Sequence, residues 1–157
     1  MELVILVGLQ ASGKSSFYRA RFVATHELVS KDLLHNNSKP ERRQRQLIEE
    51  ALAAGRAVVV DNTNATPELR APLIALGRQY GASITGYYFA ADVAGCLARN
   101  RAREGRARVP DVAIFATRKI LVPPTRAEGF DALFVVRLEQ GGGFAVEAWD
   151  ETSCSAT

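Results

Sequence analysis

Apolar residues along this chain fall into short runs separated by amphipathic stretches, and that pattern predicts the fold class. The first run, Leu3 to Val7 (LVILV), is continuous and aliphatic, as for a strand buried on both faces of a parallel sheet. Helical spacing follows over 14–23, then a short extended piece over 27–30 and a polar stretch, HNNSKPE, with turn chemistry. Strong helix formers fill 41–54, and Gly55 supplies a C-terminal cap. A second β-branched run, Ala57 to Val60, closes on Asp61. Positions 67–80 are helical in pattern and stop at Gly81; 83–90 reads as strand and 92–103 as helix. EGRARVP breaks the pattern, and a helix over 111–121 is stopped by Pro123-Pro124. Two strand-like segments, 131–138 and 144–149, are joined by a glycine turn. Strands alternating with helices predict an α/β fold, a parallel sheet covered on both faces.

Length changes this picture little. At 157 residues the chain is expected to form one domain, 1–157, with a core large enough to need no staples, and ETSCSAT at its end as a loose tail. Hydrophobic residues at 47% and charged residues at 24% exclude an intrinsically disordered class. Cys96 and Cys154 lie far apart with no metal-like spacing, which argues against a disulfide framework or a zinc site. No run approaches the roughly 20 apolar residues of a membrane span, and the first apolar run has no basic leader before it. A soluble, cytoplasmic protein without membrane association is the expectation; the pattern leaves the oligomeric state open.

Charge matters through its distribution. The net value is only +3, from 20 Lys and Arg against 17 Asp and Glu, yet Arg99, Arg101, Arg103, Arg106 and Arg108 fall within ten residues. Such a cluster repels itself unless anions are near; the other reading is an exposed basic helix face.

The chemistry begins between the first strand and helix. Gly8-x4-Gly13-Lys14-Ser15 satisfies G-x-x-x-x-G-K-[ST], the P-loop pattern, in its required strand-to-helix setting. Its glycines let backbone N–H groups point inward at a phosphate chain, Lys14 adds positive charge, and Ser15 offers a hydroxyl to Mg²⁺. The helix beginning at Lys14 adds its positive dipole end. Gly8, Ala11, Ser12, Gly13, Lys14, Ser15 and Ser16 are therefore the candidate nucleotide-phosphate set. Asp61 ends AVVVD, where P-loop proteins carry a carboxylate on the Mg²⁺ side; the Asn62-Thr63-Asn64 run after it also suits a turn cap.

VVVDNTNATPELRAPL, taken with the P-loop, resembles the polynucleotide 5′-hydroxyl kinase branch of the P-loop kinases. So do VSKD at Val29 to Asp32, CLARNRAREGRARVP, and PPTRAEGFDAL, in that order along most of the chain. The resemblance implies a five-stranded parallel sheet in the order 2-3-1-4-5, an arginine-bearing helical lid over 99–121, and ATP with Mg²⁺. It further implies transfer of the ATP γ-phosphate to a hydroxyl, the 5′-OH of DNA or RNA.

By residue matching, Asp32 takes the general-base position, although an aspartate there also suits a helix N-cap. Lys31 beside it is read as solvent-facing. Arg99 and Arg103 take the lid positions, and Arg106 shares them because the chain has one extra residue before Val109-Pro110. Such an arginine is worth on the order of 10³ to 10⁵ in rate. His35, Asn62, Thr63 and Asn64 complete the acceptor-side candidates. At 35, nucleic-acid members of the family carry an arginine that grips an acceptor phosphate; histidine lacks its bidentate fork. Arg42, Arg43 and Arg45 either compensate or form a solvated helix face. A small-molecule acceptor stays open for that reason, as does a nucleotide-binding module without efficient transfer. Glu128-Gly129-Phe130 is a candidate adenine-pocket wall. His26, Cys96 and Trp149 read as packing residues, Trp149 with base stacking as its alternative.

Overall fold

The computed structural model describes residues 1–150; ETSCSAT and its Cys154 lie outside the described residues. Six strands form one sheet in the order β2-β3-β1-β4-β5-β6, where β1 is Glu2–Val7, β2 His26–Val29, β3 Ala57–Asp61, β4 Ser83–Phe89, β5 Ala132–Leu138 and β6 Phe144–Ala148. The first five run parallel in the expected order, and β6 is an added sixth strand, antiparallel to β5. Its direction follows from its connection. Parallel neighbours need a crossover, whereas a glycine turn with Gly141 at φ 94 and Gly142 at φ 95 folds the chain straight back.

Helices α1 (Lys14–Arg21), α2 (Pro40–Ala53), α3 (Pro67–Gln79), α4 (Val93–Arg101) and α5 (Asp111–Ile120) connect the strands, with 3₁₀ turns at Lys31–Leu34, Gly105–Ala107 and Arg126–Glu128. Helix α4 stops two residues before its expected end. The buried Asn100 donates to the Val109 carbonyl at 2.7 Å and accepts from the Val109 amide at 3.0 Å, which draws the chain back on itself. Gly105, at φ 61, helps to make that reversal.

β1 explains why the aliphatic pattern was continuous. Leu3 to Val7 are all fully buried, with Leu3, Ile5 and Val7 facing the α2–α3 side and Val4 and Leu6 the α1 side. On the α1 side Phe17 meets Phe22, Tyr87, Phe89 and Phe144 at ring-centroid distances of 5.1–5.7 Å. This aromatic cluster anchors the helix that carries the P-loop lysine. Trp149 packs with Tyr88 at 5.0 Å and donates to the Pro124 carbonyl, as its packing reading requires. His26 is likewise engaged locally, with Nε2 2.7 Å from a Glu2 oxygen.

Candidate active site

The loop from β1 to α1 is held from outside as well as by its own glycines. Gly13 adopts φ 101 at the N-cap of α1, and Ala11 adopts φ 60, a conformation that costs a non-glycine residue energy. The Gly8 amide donates to the Thr63 carbonyl at 3.0 Å. A side chain at Gly8 would meet Phe89 Cβ at 2.9 Å, so only glycine fits there. Lys14 is 8% exposed, and its Nζ donates to the carbonyls of Gly8 and Leu9 at 2.9 and 2.6 Å. Burial pushes its pKa down to about 8, with Asp61 pulling the other way.

Asp61 ends β3 beside the start of α1, and Ser15 Oγ donates to its Oδ2 at 2.7 Å. Burial raises the Asp61 carboxyl, against the Ser15 bond and the Lys14 charge. Hydroxyl and carboxylate together make an all-oxygen pair, the donor chemistry that suits Mg²⁺. Among the described residues no group of three or more His, Cys, Asp or Glu could hold a metal by itself. The pair therefore fits an ion that takes its remaining ligands from phosphate and water, as Mg²⁺ does.

Asp32 lines the same cleft, in the 3₁₀ turn after β2. Ser30 caps that turn, its Oγ accepting from the Asp32 amide at 3.3 Å, so the capping role falls to Ser30. The exposed Asp32 carboxylate forms no hydrogen bond or ion pair with another described side chain. Asn62 fixes the turn by accepting from the Lys31 amide at 2.9 Å and donating to Gln44 at 2.6 Å. His35 Nδ1 lies 3.0 Å from the Asp32 carbonyl, and its exposed ring lines the cleft. The cleft encloses about 700 Å³. Asn62 and Thr63 line it, whereas Asn64 does not: it is 5% exposed and donates to the Leu6 carbonyl at 2.7 Å, tying β1 to the loop after β3.

Residues 3–124, a span that includes the Gly8 to Ser15 loop, match the family described as AAA domain. The chain belongs to this P-loop kinase family. It is 30% identical over 135 residues to the bifunctional polynucleotide phosphatase/kinase of Schizosaccharomyces pombe; that match covers 82% of the chain but only 32% of the relative. Among solved structures, a gluconokinase from Sinorhizobium meliloti 1021 shares the fold at a TM-score of 0.62 and 20% identity, covering 88% of this chain and 83% of the other. A chain of the Pnkp1/Rnl/Hen1 complex does so at 0.55 and 23%, covering 62% and 38%.

In this P-loop kinase the arginine segment divides its work. Arg103 and Arg106 line the same cleft as Asp32. Arg99 instead turns under the phosphate loop, donating through Nε to the Ala11 carbonyl at 2.5 Å and through Nη2 toward Cys96 Sγ at 3.6 Å. Arg101 pairs with Asp111 at 3.4 Å on the outside. Cys96 is fully buried with Leu9 and Ile114 beneath them all, and burial raises its thiol. On α2, Arg43 and Arg45 pair with Glu50 and Glu49, and the exposed Arg42 lies outside the cleft, so this is the solvated face of the helix.

The 128–130 segment turns its side chains inward, away from the cleft. Glu128 holds the fully buried Arg70 through two hydrogen bonds of 2.7 and 3.0 Å, and Phe130 is core. Arg19 and Lys31 line the cleft without having been singled out as site residues. Arg19 was findable, because it lies one turn beyond Ser15 on the same face of α1. Lys31 faces the cleft with only an exposed, 3.7 Å pairing to Glu41.

Proposed function

We propose that this kinase transfers the γ-phosphate of ATP to the 5′-hydroxyl of a DNA or RNA strand. The observation that carries the reading is one cleft lined together by the P-loop lysine, by the exposed Asp32 carboxylate, and by Arg103 and Arg106. Loop amides and Lys14 hold the donor phosphates. Ser15 and Asp61 would hold Mg²⁺, which when bound neutralises charge on the phosphate oxygens. Asp32 takes the proton of the attacking hydroxyl, while Arg103 and Arg106 face the charge that spreads over the transferring group. Arg19 and Lys31 add positive charge beside His35, where an acceptor-strand phosphate would lie.

The direct test is transfer of labelled γ-phosphate to a 5′-hydroxyl oligonucleotide. Transfer is expected, with a KM for the strand that rises with salt as backbone contacts release counterions. ATP binding without transfer to any oligonucleotide would overturn the polynucleotide assignment. A sugar or other metabolite acceptor is the second reading, favoured by His35 and by the fold shared with a gluconokinase over most of both chains. ADP release across an acceptor panel separates the two.

Lys14 supplies a further expected result. Its ammonium is present below about pH 8 and is lost as pH rises through that value. ATP affinity should therefore hold steady from pH 6.5 to 7.5 and weaken above pH 8, by at most about tenfold per pH unit for one linked proton. Calorimetric titrations across that range would show it; a flat profile to pH 9.5 would contradict the assignment of the charge to Lys14.

A further inference from the structure

Gln10 stands in the third position of the phosphate loop, and its amide is clipped to the lid. Its Nε2 donates to Thr117 Oγ1 on α5 at 3.0 Å, across 107 residues of sequence. Thr117 has one hydroxyl proton, and that proton goes to the Ala113 carbonyl at 3.0 Å. The Thr117 oxygen must then accept, which fixes the Gln10 amide with NH₂ toward α5. Its Oε1 is left buried without any hydrogen-bond partner.

A buried acceptor without a donor is costly, so it marks a place where a partner is missing. Phosphate oxygens cannot be that partner, since they are acceptors themselves. The donor must carry N–H or O–H groups and reach the side of the loop that α5 covers. Gln10 shares its cleft with Arg103 and Arg106, both on the segment between α4 and α5. Arg103 already donates to the Ala107 carbonyl at 3.4 Å. Arg106 is exposed and makes no hydrogen bond or ion pair with a described residue. It sits in the short turn directly after Gly105, which has φ 61 and no heavy atom crowding its Cα face.

We propose that Gln10 is a positioning residue for phosphoryl transfer: its Oε1 accepts from the guanidinium of Arg106 when the lid segment closes over bound ATP. The amide then spans α5 on one side and the arginine on the other, and holds that arginine against the γ-phosphate. The inference rests on the kinase reading above for its rate effect, and on ATP binding alone for its closure effect.

The test uses the full chain and the isosteric variant Gln10→Met, with Arg106→Ala and the double variant. A charged donor losing its acceptor should lower kcat about tenfold in Gln10→Met. KM for ATP should move less than about twofold, because the interaction forms only in the closed complex. Arg106→Ala should lower kcat at least as much, and the double variant should be no worse than Arg106→Ala. Millimolar guanidinium should restore part of the activity to Arg106→Ala but not to the double variant. Independent of turnover, ATP with Mg²⁺ should protect the lid arginines of the wild type from trypsin, and Gln10→Met should lose that protection while calorimetry shows ATP still binding. Multiplicative losses in the double variant, or unchanged protection in Gln10→Met, would overturn the proposal. Intact wild-type protection with no acceptor phosphorylated would instead sink the kinase reading and leave the latch standing.

Discussion

Replacing Asp32 with asparagine is expected to lower phosphoryl transfer by about 10²- to 10⁴-fold, the usual contribution of a positioned general base. ATP affinity should change little, because the loop amides and Lys14, not Asp32, hold the donor phosphates. The geometry supports so large an effect on rate alone. The turn that carries Asp32 is fixed by Ser30 and Asn62, so the amide variant keeps its place. The carboxylate itself has no structural partner among the described residues to lose. Asparagine matches its shape but cannot take a proton. Single-turnover assays with labelled ATP and a saturating acceptor would measure the step directly. A variant that keeps a tenth or more of wild-type transfer would remove Asp32 from the base role.

The second large effect concerns stability. Arg70→Ala is expected to destabilise the protein by about 3–5 kcal/mol, because it strands a largely buried carboxylate. Arg70 is fully buried; it meets both Glu128 oxygens and donates to the Asn64 carbonyl at 2.8 Å. Glu128 at 13% side-chain exposure would lose its counter-charge, and the loop carrying Asp61 to Asn64 would lose its anchor. For a chain of this size each kcal/mol moves the melting temperature by about 2–4 °C, so a fall of about 10 °C is expected. The double variant Arg70→Met, Glu128→Leu should recover much of it, since removing both charges removes the desolvation cost as well. Recovery will be incomplete, because Glu128 also accepts from the Thr125 amide at 2.8 Å and caps the following turn. Melting of the wild type and both variants by circular dichroism decides the matter; an Arg70→Ala shift under about 2 °C would show that water reaches the pair.

The two residues of that ion pair show where reading the sequence stops. Arg70 and Glu128 are 58 positions apart, on a helix and on a turn, and nothing in either local pattern says that they meet. Glu128-Gly129-Phe130 stood out as a motif and suggested a ligand wall; the structure turns it inward to a buried guanidinium and the core. The same limit hides Gln10, which looks like an ordinary variable position of the P-loop until α5 arrives with Thr117. Adjacency in sequence groups Asn64 with Asn62 and Thr63, yet its side chain donates to the Leu6 carbonyl of β1 while Asn62 and Thr63 line the cleft.

What the amino-acid order determined alone is what short-range physics encodes. Aliphatic runs specify strands buried on both faces, Gly8 and Gly13 permit the loop that Lys14 and Ser15 complete, and a glycine turn too short for a crossover makes β6 antiparallel. Tertiary structure decided which charges are free and which are spent. Arg99 and Arg103 look alike in sequence, but Arg99 is held on the phosphate-loop carbonyl of Ala11 and lies off the cleft, whereas Arg103, with one long 3.4 Å bond to Ala107, lines it. Asp32 and Glu128 are both carboxylates near turns, but only Glu128 is paired to a buried arginine. A side chain's charge is a local property, whereas its partners and its exposure to water depend on segments far away in the chain, and those decide whether the charge stabilises the fold or remains available for chemistry.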